Sequence, residues 1–287
     1  MTKRQWNISP DRLDKGLYWQ KAWKLVEGCK KVSPGCDNCW SEKETVMRHS
    51  HPNEKIHERA HQVLAEIPDH QGGAEKIFAG NIVCRRDNLL LPLKTKQPTV
   101  FAIWNDLYHE DVPFDFIADV AEVMERSRAL GHTFLILTKR ADRMGVFLSE
   151  VGIDIPDHIW HGVTAENQEQ ADKRVLTLRL VPGKKFVSIE PMLEEIDLDR
   201  GGFSLIRELK SPQGRIYPGV DAVLLGCESG SNSRVMLNSW AGKIERQCRE
   251  ANVPLFIKQL KVGGRLSKDP EAWPEILRVR NLPWLKV

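Results

Sequence analysis

Long hydrophobic runs are missing from this 287-residue sequence. No apolar stretch reaches the roughly 18 residues that a membrane-spanning helix requires, and the N-terminus, MTKRQWNISPDRL, lacks the apolar centre of a signal peptide. We therefore expect a cytoplasmic protein with no membrane partner. Because cytoplasmic thiols are kept reduced, clustered cysteines in such a protein more often bind metal or take part in catalysis than form disulfides.

The sequence also lacks a strong excess of either charge. Its 42 Lys and Arg residues nearly balance its 39 Asp and Glu residues, for a formal net charge of +3. This balance permits nucleic-acid binding without predicting it, because an electrostatic footprint requires clustered basic residues. The Gly- and Ser-rich segment ESGSNSR (228–234) has neither the P-loop lysine spacing nor G-x-G-x-x-G, so we exclude both of those nucleotide sites.

What the sequence does have is a regular alternation of apolar and amphipathic segments. Apolar runs rich in β-branched residues predict buried strands at 99–104, 132–138, 159–164, 184–191, 221–228 and 254–260. Helical spacing of apolar residues predicts helices at 114–130, 141–152, 167–183 and 239–253. This rhythm predicts an α/β fold with a parallel sheet of about six βα units. We expect a (β/α) partial barrel, with a doubly wound open sheet as the alternative.

Two segments interrupt this alternation. Residues 41–75 are rich in His and Glu and predict a helix followed by an exposed loop. Residues 192–220 predict an insertion, with a small hairpin, between two strands of the sheet. Neither segment is long enough to suggest a second domain, so we expect residues 1–287 to form a single domain.

Charged or amide residues follow every one of the six predicted strands. They are Asn105, Asp106, Lys139, Glu166, Asn167, Glu190, Glu228, Arg234, Lys258 and Gln259. Because parallel α/β folds bind ligands at the carboxyl ends of their strands, we expect these side chains to surround one cavity. Carboxylates buried without partners are costly, so an amine-bearing ligand or the nearby Lys and Arg side chains should balance them.

Cysteine is sparse, yet three of the six cysteines fall within eleven positions. Six residues separate Cys29 from Cys36, and two separate Cys36 from Cys39. Structural zinc sites and [4Fe–4S] clusters usually take four protein ligands, and no fourth cysteine is near. Zinc would need a fourth ligand such as His49 or His51, whereas a cluster on three thiolates keeps one iron open to a small molecule. We favour the cluster, with zinc and simple thiols as alternatives.

The end of this loop, Cys36-Asp-Asn-Cys39-Trp40, followed by repeating βα segments, resembles the radical S-adenosylmethionine (SAM) superfamily. More closely, the chain resembles a phage-associated protein family that also occurs in bacterial genomes and has no settled function. The matching stretches are VEGCKKVSPGCDNCW, WNDLYHEDVPFDFI, HTFLILTKRADRM, IWHGVTAENQ, FVSIEPML, LLGCESGSNSRVM and VPLFIKQL. The sequence departs from the superfamily in its longer first cysteine gap, and Cys227 stands where relatives more often have glycine.

The superfamily resemblance implies both a fold and a reaction. The fold would be a radical-SAM-like partial barrel with an N-terminal cysteine loop, in which Cys29, Cys36 and Cys39 hold a [4Fe–4S] cluster and one iron binds SAM. An electron donor such as flavodoxin or ferredoxin would supply the electron that cleaves SAM. The resulting 5′-deoxyadenosyl radical would abstract hydrogen from a substrate.

The strand-end residues receive expected roles under this resemblance. Asn105 and Asp106 would lie near the SAM amino group, Lys139 near its carboxylate, and Glu166 and Asn167 near the ribose hydroxyls. The residues of the later strands would contact the substrate: Glu190, Glu228, Arg234, Lys258 and Gln259. Cys227 is either a neutral replacement or a thiol placed to donate hydrogen to a radical.

The expected function is therefore a radical SAM enzyme, and the phage association suggests a nucleotide or nucleic acid as its substrate. Trp19 and Trp23, with Lys21 and Lys24, would stack on and hold a nucleic acid, unless the tryptophans pack in the core. The alternative function is a zinc- or cluster-stabilised nucleic-acid-binding protein without radical catalysis.

Overall fold

The structure is a computed structural model that describes residues 7–68, 73–151, 155–200 and 203–285. An eight-stranded sheet forms its centre, and the spatial order of the strands follows their order in the chain. The strands are β1 (Lys21–Trp23), β2 (Val100–Ile103), β3 (Thr133–Thr138), β4 (Ile159–Thr164), β5 (Lys184–Ile189), β6 (Ala222–Gly226), β7 (Leu255–Val262) and β8 (Arg265–Ser267).

Neighbouring strands from β1 to β7 pair in parallel, and β8 pairs antiparallel with β7. A doubly wound sheet reverses its strand order at a switch point, and no reversal occurs in this sheet, so that alternative is wrong. Within the described residues, β1 and β8 remain edges that do not pair with each other. The sheet is therefore mostly parallel and wound in one direction, but it is not a closed barrel.

Each of the six predicted strands is present in this sheet, and two further strands, β1 and β8, were not predicted. Long helices cover the connections after β2, β3, β4 and β6, whereas β5 leads into the predicted insertion and β7 turns directly into β8. The long helices are α1 (Trp40–His49), α2 (Glu54–His61), α3 (Phe114–Arg126), α4 (Ala141–Val151), α5 (Gln168–Leu180) and α6 (Asn238–Ala251). Residue 152, the predicted end of α4, lies outside the described residues.

Shorter elements complete the chain. Single helical turns lie at Pro10–Asp14, Pro34–Cys36, Arg86–Asn88, Leu91–Lys94, Arg128–Leu130, Pro270–Ala272 and Glu275–Leu277. Antiparallel strand pairs form between Val26–Glu27 and Val83–Cys84, Leu64–Pro68 and Ala74–Phe78, Asp199–Arg200 and Phe203–Ser204, and Leu209–Lys210 and Ile216–Tyr217. The last two pairs lie within the predicted insertion, of which residues 201 and 202 are outside the described part.

Both faces of the sheet are buried, as its continuously apolar strands require. One face packs against the helices, and the other is filled by a separate cluster that includes Trp160, Phe186, Phe256 and Trp284. Gly162 belongs to the same face as Trp160, because side chains alternate along a strand. A Cβ on Gly162 would lie 2.4 Å from the Phe186 ring, so only glycine fits there.

This second cluster fills the sheet's face near the amino ends of the strands, and the face is open near their carboxyl ends. The described helices include none that is both long and apolar enough to cross a membrane.

Candidate functional site

The cysteine loop, residues 28–39, lies at the carboxyl ends of the parallel strands. Gly28 begins it with a left-handed backbone conformation (φ +84°), and a Cβ there would lie 2.0 Å from the carbonyl oxygen of Asn81. Asn105, directly after β2, donates from Nδ2 to the carbonyl of Val26 at 3.0 Å and accepts a hydrogen bond from the hydroxyl of Ser41. Asn105 therefore fixes the chain on both sides of the loop.

Arg140, which follows β3, holds the beginning of the loop. Its Nη2 donates to the carbonyl of Lys30 at 3.1 Å, and its Nη1 lies 3.9 Å from Sγ of Cys29. The same Nη1 lies 3.0 Å from Oδ2 of Asp106, which is 7% exposed and also accepts a hydrogen bond from Thr138 at 2.6 Å. The structure thus uses Asp106 to hold Arg140, and Asp106 is not among the residues that line the cavity described below.

Glu166, which follows β4, supports the middle of the loop. Its carboxylate is fully buried, accepts a hydrogen bond from the backbone N–H of Gly35 at 3.4 Å and pairs with Arg174 at 2.8 Å. A Cβ on Gly35 would lie 2.9 Å from Cδ of Glu166, so the loop approaches this carboxylate as closely as glycine allows. Asn167, the next residue, accepts a hydrogen bond from the N–H of Gln170 and caps α5.

Glu228 and Arg234, which follow β6, hold the second half of the loop. Arg234 pairs with Glu228 at 2.6 Å and donates to the carbonyl of Pro34 at 2.9 Å and to Asp37 at 3.1 Å. Glu228 also accepts a hydrogen bond from Asn38 at 3.0 Å. Burial opposes ionisation of Glu228, but the hydrogen bonds from Arg234 and Asn38 outweigh it and lower the pKa of this carboxyl below its usual value.

The three thiols of the loop are near one another. Burial, and then the charge of Asp106, raise the pKa of Cys29 to about 12, and Cys39 and Cys36 add to this rise while Arg140 opposes it. In the structure, however, Cys29 contacts Arg140 and the carbonyl of Lys30, and Cys36 contacts the hydroxyl of Ser33. The described residues include no three His, Cys, Asp or Glu side chains arranged to hold a metal ion.

The donor set nevertheless suits an iron–sulfur cluster in its chemistry. Three soft thiol ligands lie on one short loop, and a cation bound between them would counter the burial and negative charge that raise the pKa of Cys29. A bound group would replace the contact of Cys29 with the carbonyl of Lys30 and that of Cys36 with the hydroxyl of Ser33. The group fits the residues, but the ligand cage is not preformed.

A cavity of about 280 Å³ opens beside the loop on the open face of the sheet. Gly35, Asn38 and Cys39 line it on the loop side, and residues from the ends of six central strands line it elsewhere. The cavity wall contains four of the ten predicted strand-end residues: Lys139, Glu190, Glu228 and Lys258. Glu190 and Lys258 form an ion pair, so the expectation that basic side chains balance the carboxylates is confirmed for Lys258 and Arg234.

The other residues singled out in the sequence take different positions, some in the cavity wall and some away from it. Gln259 is 2% exposed and donates from Nε2 to the carbonyl of Cys227 at 2.7 Å, at an irregularity in the pairing of β6 with β7. Cys227 lines the cavity, and burial raises its pKa to about 11. Trp23 is fully buried in the core, whereas Trp19 lines the cavity. A nucleic-acid platform that includes Trp23 is therefore wrong.

Several residues of the site were missed in the sequence. Arg140 and Arg174 hold the loop and its support, and Trp104 and Ser188 line the cavity. Side chains alternate between the two faces of a strand, and Trp104, directly after β2, and Ser188, in β5, alternate with residues that face the helices. This period of two could have predicted that both side chains face the cavity. No signal in the sequence joined Arg174 to Glu166, because that pairing depends on how α5 packs on β4.

A second group of side chains lies outside the cavity. His57-Glu58-Arg59-Ala60-His61 on α2 has the H-E-x-x-H spacing of zinc peptidases, and the ring of His49 lies 4.8 Å from that of His57. His57 already contacts the carbonyl of His49 through Nδ1. In the part of the chain that the structure describes, these histidines are not arranged with a third ligand to hold a metal ion.

The fold and the site define a parallel α/β protein whose cysteine loop is bound across the carboxyl ends of its strands, next to a cavity. Residues 15–270 match the family described as "Protein of unknown function (DUF5131)", and the chain belongs to that family. No curated protein and no solved structure matches the chain.

Proposed function

We propose that this protein is a radical SAM enzyme that acts on a nucleotide or nucleic acid. Cys29, Cys36 and Cys39 would hold a [4Fe–4S] cluster, and the adjoining cavity would receive SAM and the reacting part of the substrate. The relation to the radical SAM superfamily and to phage-associated proteins is part of this proposal and rests on the motifs given above.

One observation carries the proposal. Residues that follow four different central strands, Asn105, Arg140, Glu166 and Glu228, all bind the cysteine loop or the residues next to it. A surface loop with no function at the strand ends would not require this many partly buried polar contacts, since each one costs desolvation. Together the contacts hold the loop beside the cavity, with Cys39 in the cavity wall, where a ligand of parallel α/β folds is expected.

The bound group would supply, through its open iron, the binding and one-electron cleavage of SAM that start hydrogen abstraction from the substrate. The protein's own residues would do the rest. Arg140 positions Cys29, Glu166 sets the height of Gly35 above the sheet, and the Glu228–Arg234 pair closes the second half of the loop. Lys139, which lines the cavity, offers an ammonium group to the SAM carboxylate.

Anaerobic reconstitution with iron and sulfide tests the proposal. The expected result is a brown protein that converts SAM to 5′-deoxyadenosine under dithionite. Cys36→Ala should abolish both the colour and the cleavage. Cys84→Ala is the matched control, because Cys84 is a half-buried free thiol outside the loop, on the strand that pairs with Val26–Glu27, and it should retain both.

Two results would contradict the proposal. A colourless protein with stoichiometric zinc would favour the zinc-stabilised nucleic-acid-binding protein instead. A Cys36→Ala protein that keeps its iron and cleaves SAM at the parent rate would show that the loop is not the ligand set.

A further inference from the structure

Two buried polar groups in the cavity wall have no hydrogen-bond partner among the described residues: the hydroxyl of Ser188 and the indole Nε1 of Trp104. Ser188 is 1% exposed and Trp104 is 6% exposed, so both side chains are almost fully withdrawn from bulk solvent. Buried polar groups in folded proteins are nearly always hydrogen-bonded, and an exception in a cavity wall calls for a partner such as a bound water or a ligand group.

Ser188 stands next to a charged pair. Glu190 follows Ser188 by two positions, so both side chains leave the same face of β5, and Lys258 on β7 reaches Glu190 across β6. Gly226 on β6 lies next to Glu190, whose Cγ and Cδ are each 3.6 Å from the position of an added Cβ, an ordinary van der Waals distance. Glu190 and Lys258 keep about a fifth of their side-chain surface exposed, at 18% and 20%.

The three side chains therefore form a row of neighbouring hydrogen-bonding groups, in which Glu190 lies two positions after Ser188 along the chain and is ion-paired with Lys258. The Ser188 hydroxyl donates, the Glu190 carboxylate accepts and the Lys258 ammonium donates. A ligand edge that matches this row offers an acceptor, a donor and an acceptor. The imide edge of uracil and thymine has this order, with its N–H between two carbonyl groups.

The rest of the wall suits a flat ring. Trp19, Trp104 and Phe186 line the same cavity, and aromatic side chains bind bases by stacking. Enzymes that act on a base commonly hold it between apolar or aromatic side chains and read its edge by hydrogen bonds. The paired charges of Glu190 and Lys258 make the polar edge nearly neutral overall, which suits an uncharged base better than a phosphate.

We propose that Ser188, Glu190 and Lys258 form a subsite for the imide edge of a uracil or thymine base, which names the substrate class of the enzyme proposed above and rests on that proposal. The base could belong to a free nucleoside or to a single-stranded oligonucleotide, and both present the same edge. SAM would occupy the cavity nearer the cysteine loop.

Calorimetric titration of the full-length protein tests the subsite without reductant or turnover. Uridine, thymidine and a short oligothymidylate should bind, and the comparison of nucleoside with oligonucleotide identifies the source of the base. N3-methyluridine, which lacks the central N–H, and adenosine should bind at least tenfold more weakly. Ser188→Ala should weaken uridine binding roughly tenfold, while Ser149→Ala, an exposed serine on α4, should not change it.

The double variant Glu190→Lys, Lys258→Glu keeps the ion pair but exchanges the positions of the donor and the acceptor. It should lose uridine binding, and circular dichroism checks that it still folds. Equal affinity for uridine, N3-methyluridine and adenosine would overturn the proposal, as would no binding of any uracil or thymine ligand. Displacement of uridine by SAM would also overturn it. Because the titration needs no SAM cleavage, its failure is distinguishable from failure of the proposed radical chemistry.

Discussion

The Nη1 of Arg140 lies 3.9 Å from the sulfur of Cys29, although 111 residues separate them in the chain. Arg140 reaches this position because it follows β3 directly and because Asp106, after β2, holds its guanidinium from below. The Arg140 guanidinium opposes the rise in the pKa of Cys29 that burial and Asp106 cause, and it can donate a hydrogen bond to the sulfur. The first cysteine of the loop is therefore positioned by two adjacent strand ends.

Arg140→Ala should lower the free energy of unfolding by about 3 kcal/mol, because it leaves the buried Asp106 carboxylate without its cation. Urea denaturation measures this change. Arg126→Ala is the matched control, since Arg126 and Glu122 are both mostly exposed, and it should change stability by less than about 1 kcal/mol. Equal effects of the two substitutions would show that the Asp106–Arg140 pair does not stabilise the fold.

Gly35→Ala should reduce the iron content after reconstitution, since the added methyl group would lie 2.9 Å from the buried Glu166 carboxylate and push the loop away from the sheet. Gly242→Ala provides the control, because Gly242 lies in α6 with no atom within 4 Å of its Cβ position. That substitution should stabilise the protein by up to about 1 kcal/mol through helix propensity. Full iron content in Gly35→Ala would mean that the contact with Glu166 does not set the loop's position.

Arg179→Ala should detach the 192–220 insertion from α5. The Arg179 side chain is 3% exposed and donates to the carbonyls of four residues: Ser204, Arg207, Tyr217 and Pro218. Its loss leaves buried carbonyls unpaired, so we expect faster cleavage within the insertion by limited proteolysis and a loss of about 2–4 kcal/mol in stability. Arg128→Ala, at an exposed ion pair with Glu125 outside the insertion, should leave the cleavage rate unchanged.

The pKa of Glu228 predicts a pH dependence. Because the folded protein lowers this pKa, the ionised carboxylate contributes stability above its unfolded pKa of about 4.3, and that contribution is lost as the pH falls through the folded pKa. Glu228→Gln should therefore narrow the difference in unfolding free energy between neutral and strongly acidic pH. The exposed Glu122→Gln should leave that difference unchanged, and an identical effect of both variants would contradict the prediction.

Much of the fold could be predicted because strand and helix periods are local. The run from residue 99 to 260 shows its six strands as apolar segments, and each enters the sheet in the expected order. The strand β1 was not predicted because it has only three residues, Lys21–Trp23, two of which are not fully buried. The antiparallel strand β8 was not predicted because a turn at Gly263 and Gly264, rather than a helix, follows β7.

The sequence predicted where the site residues lie, but it predicted only some of the contacts that these residues make. Strand position alone placed Glu166, Glu228 and Arg234 at one edge of the sheet, where they are found. Strand position did not show that these side chains contact the cysteine loop. Those contacts join residues that are 131 to 200 positions apart in the sequence, so they depend on the folded sheet between them. Asn167 follows the same strand as Glu166, but its side chain caps α5, a local role that strand position did not predict.

The distance in sequence between the cysteine loop and its supports sets the order of events during synthesis. The loop emerges from the ribosome first, and its contact with Arg234 closes a separation of 200 residues. At about 5–20 residues per second, that interval lasts roughly 10–40 s. Throughout it the three thiols have no strand ends to bind them, so the nascent chain offers its cysteines to metal, oxidant or chaperone before the sheet that will hold them exists.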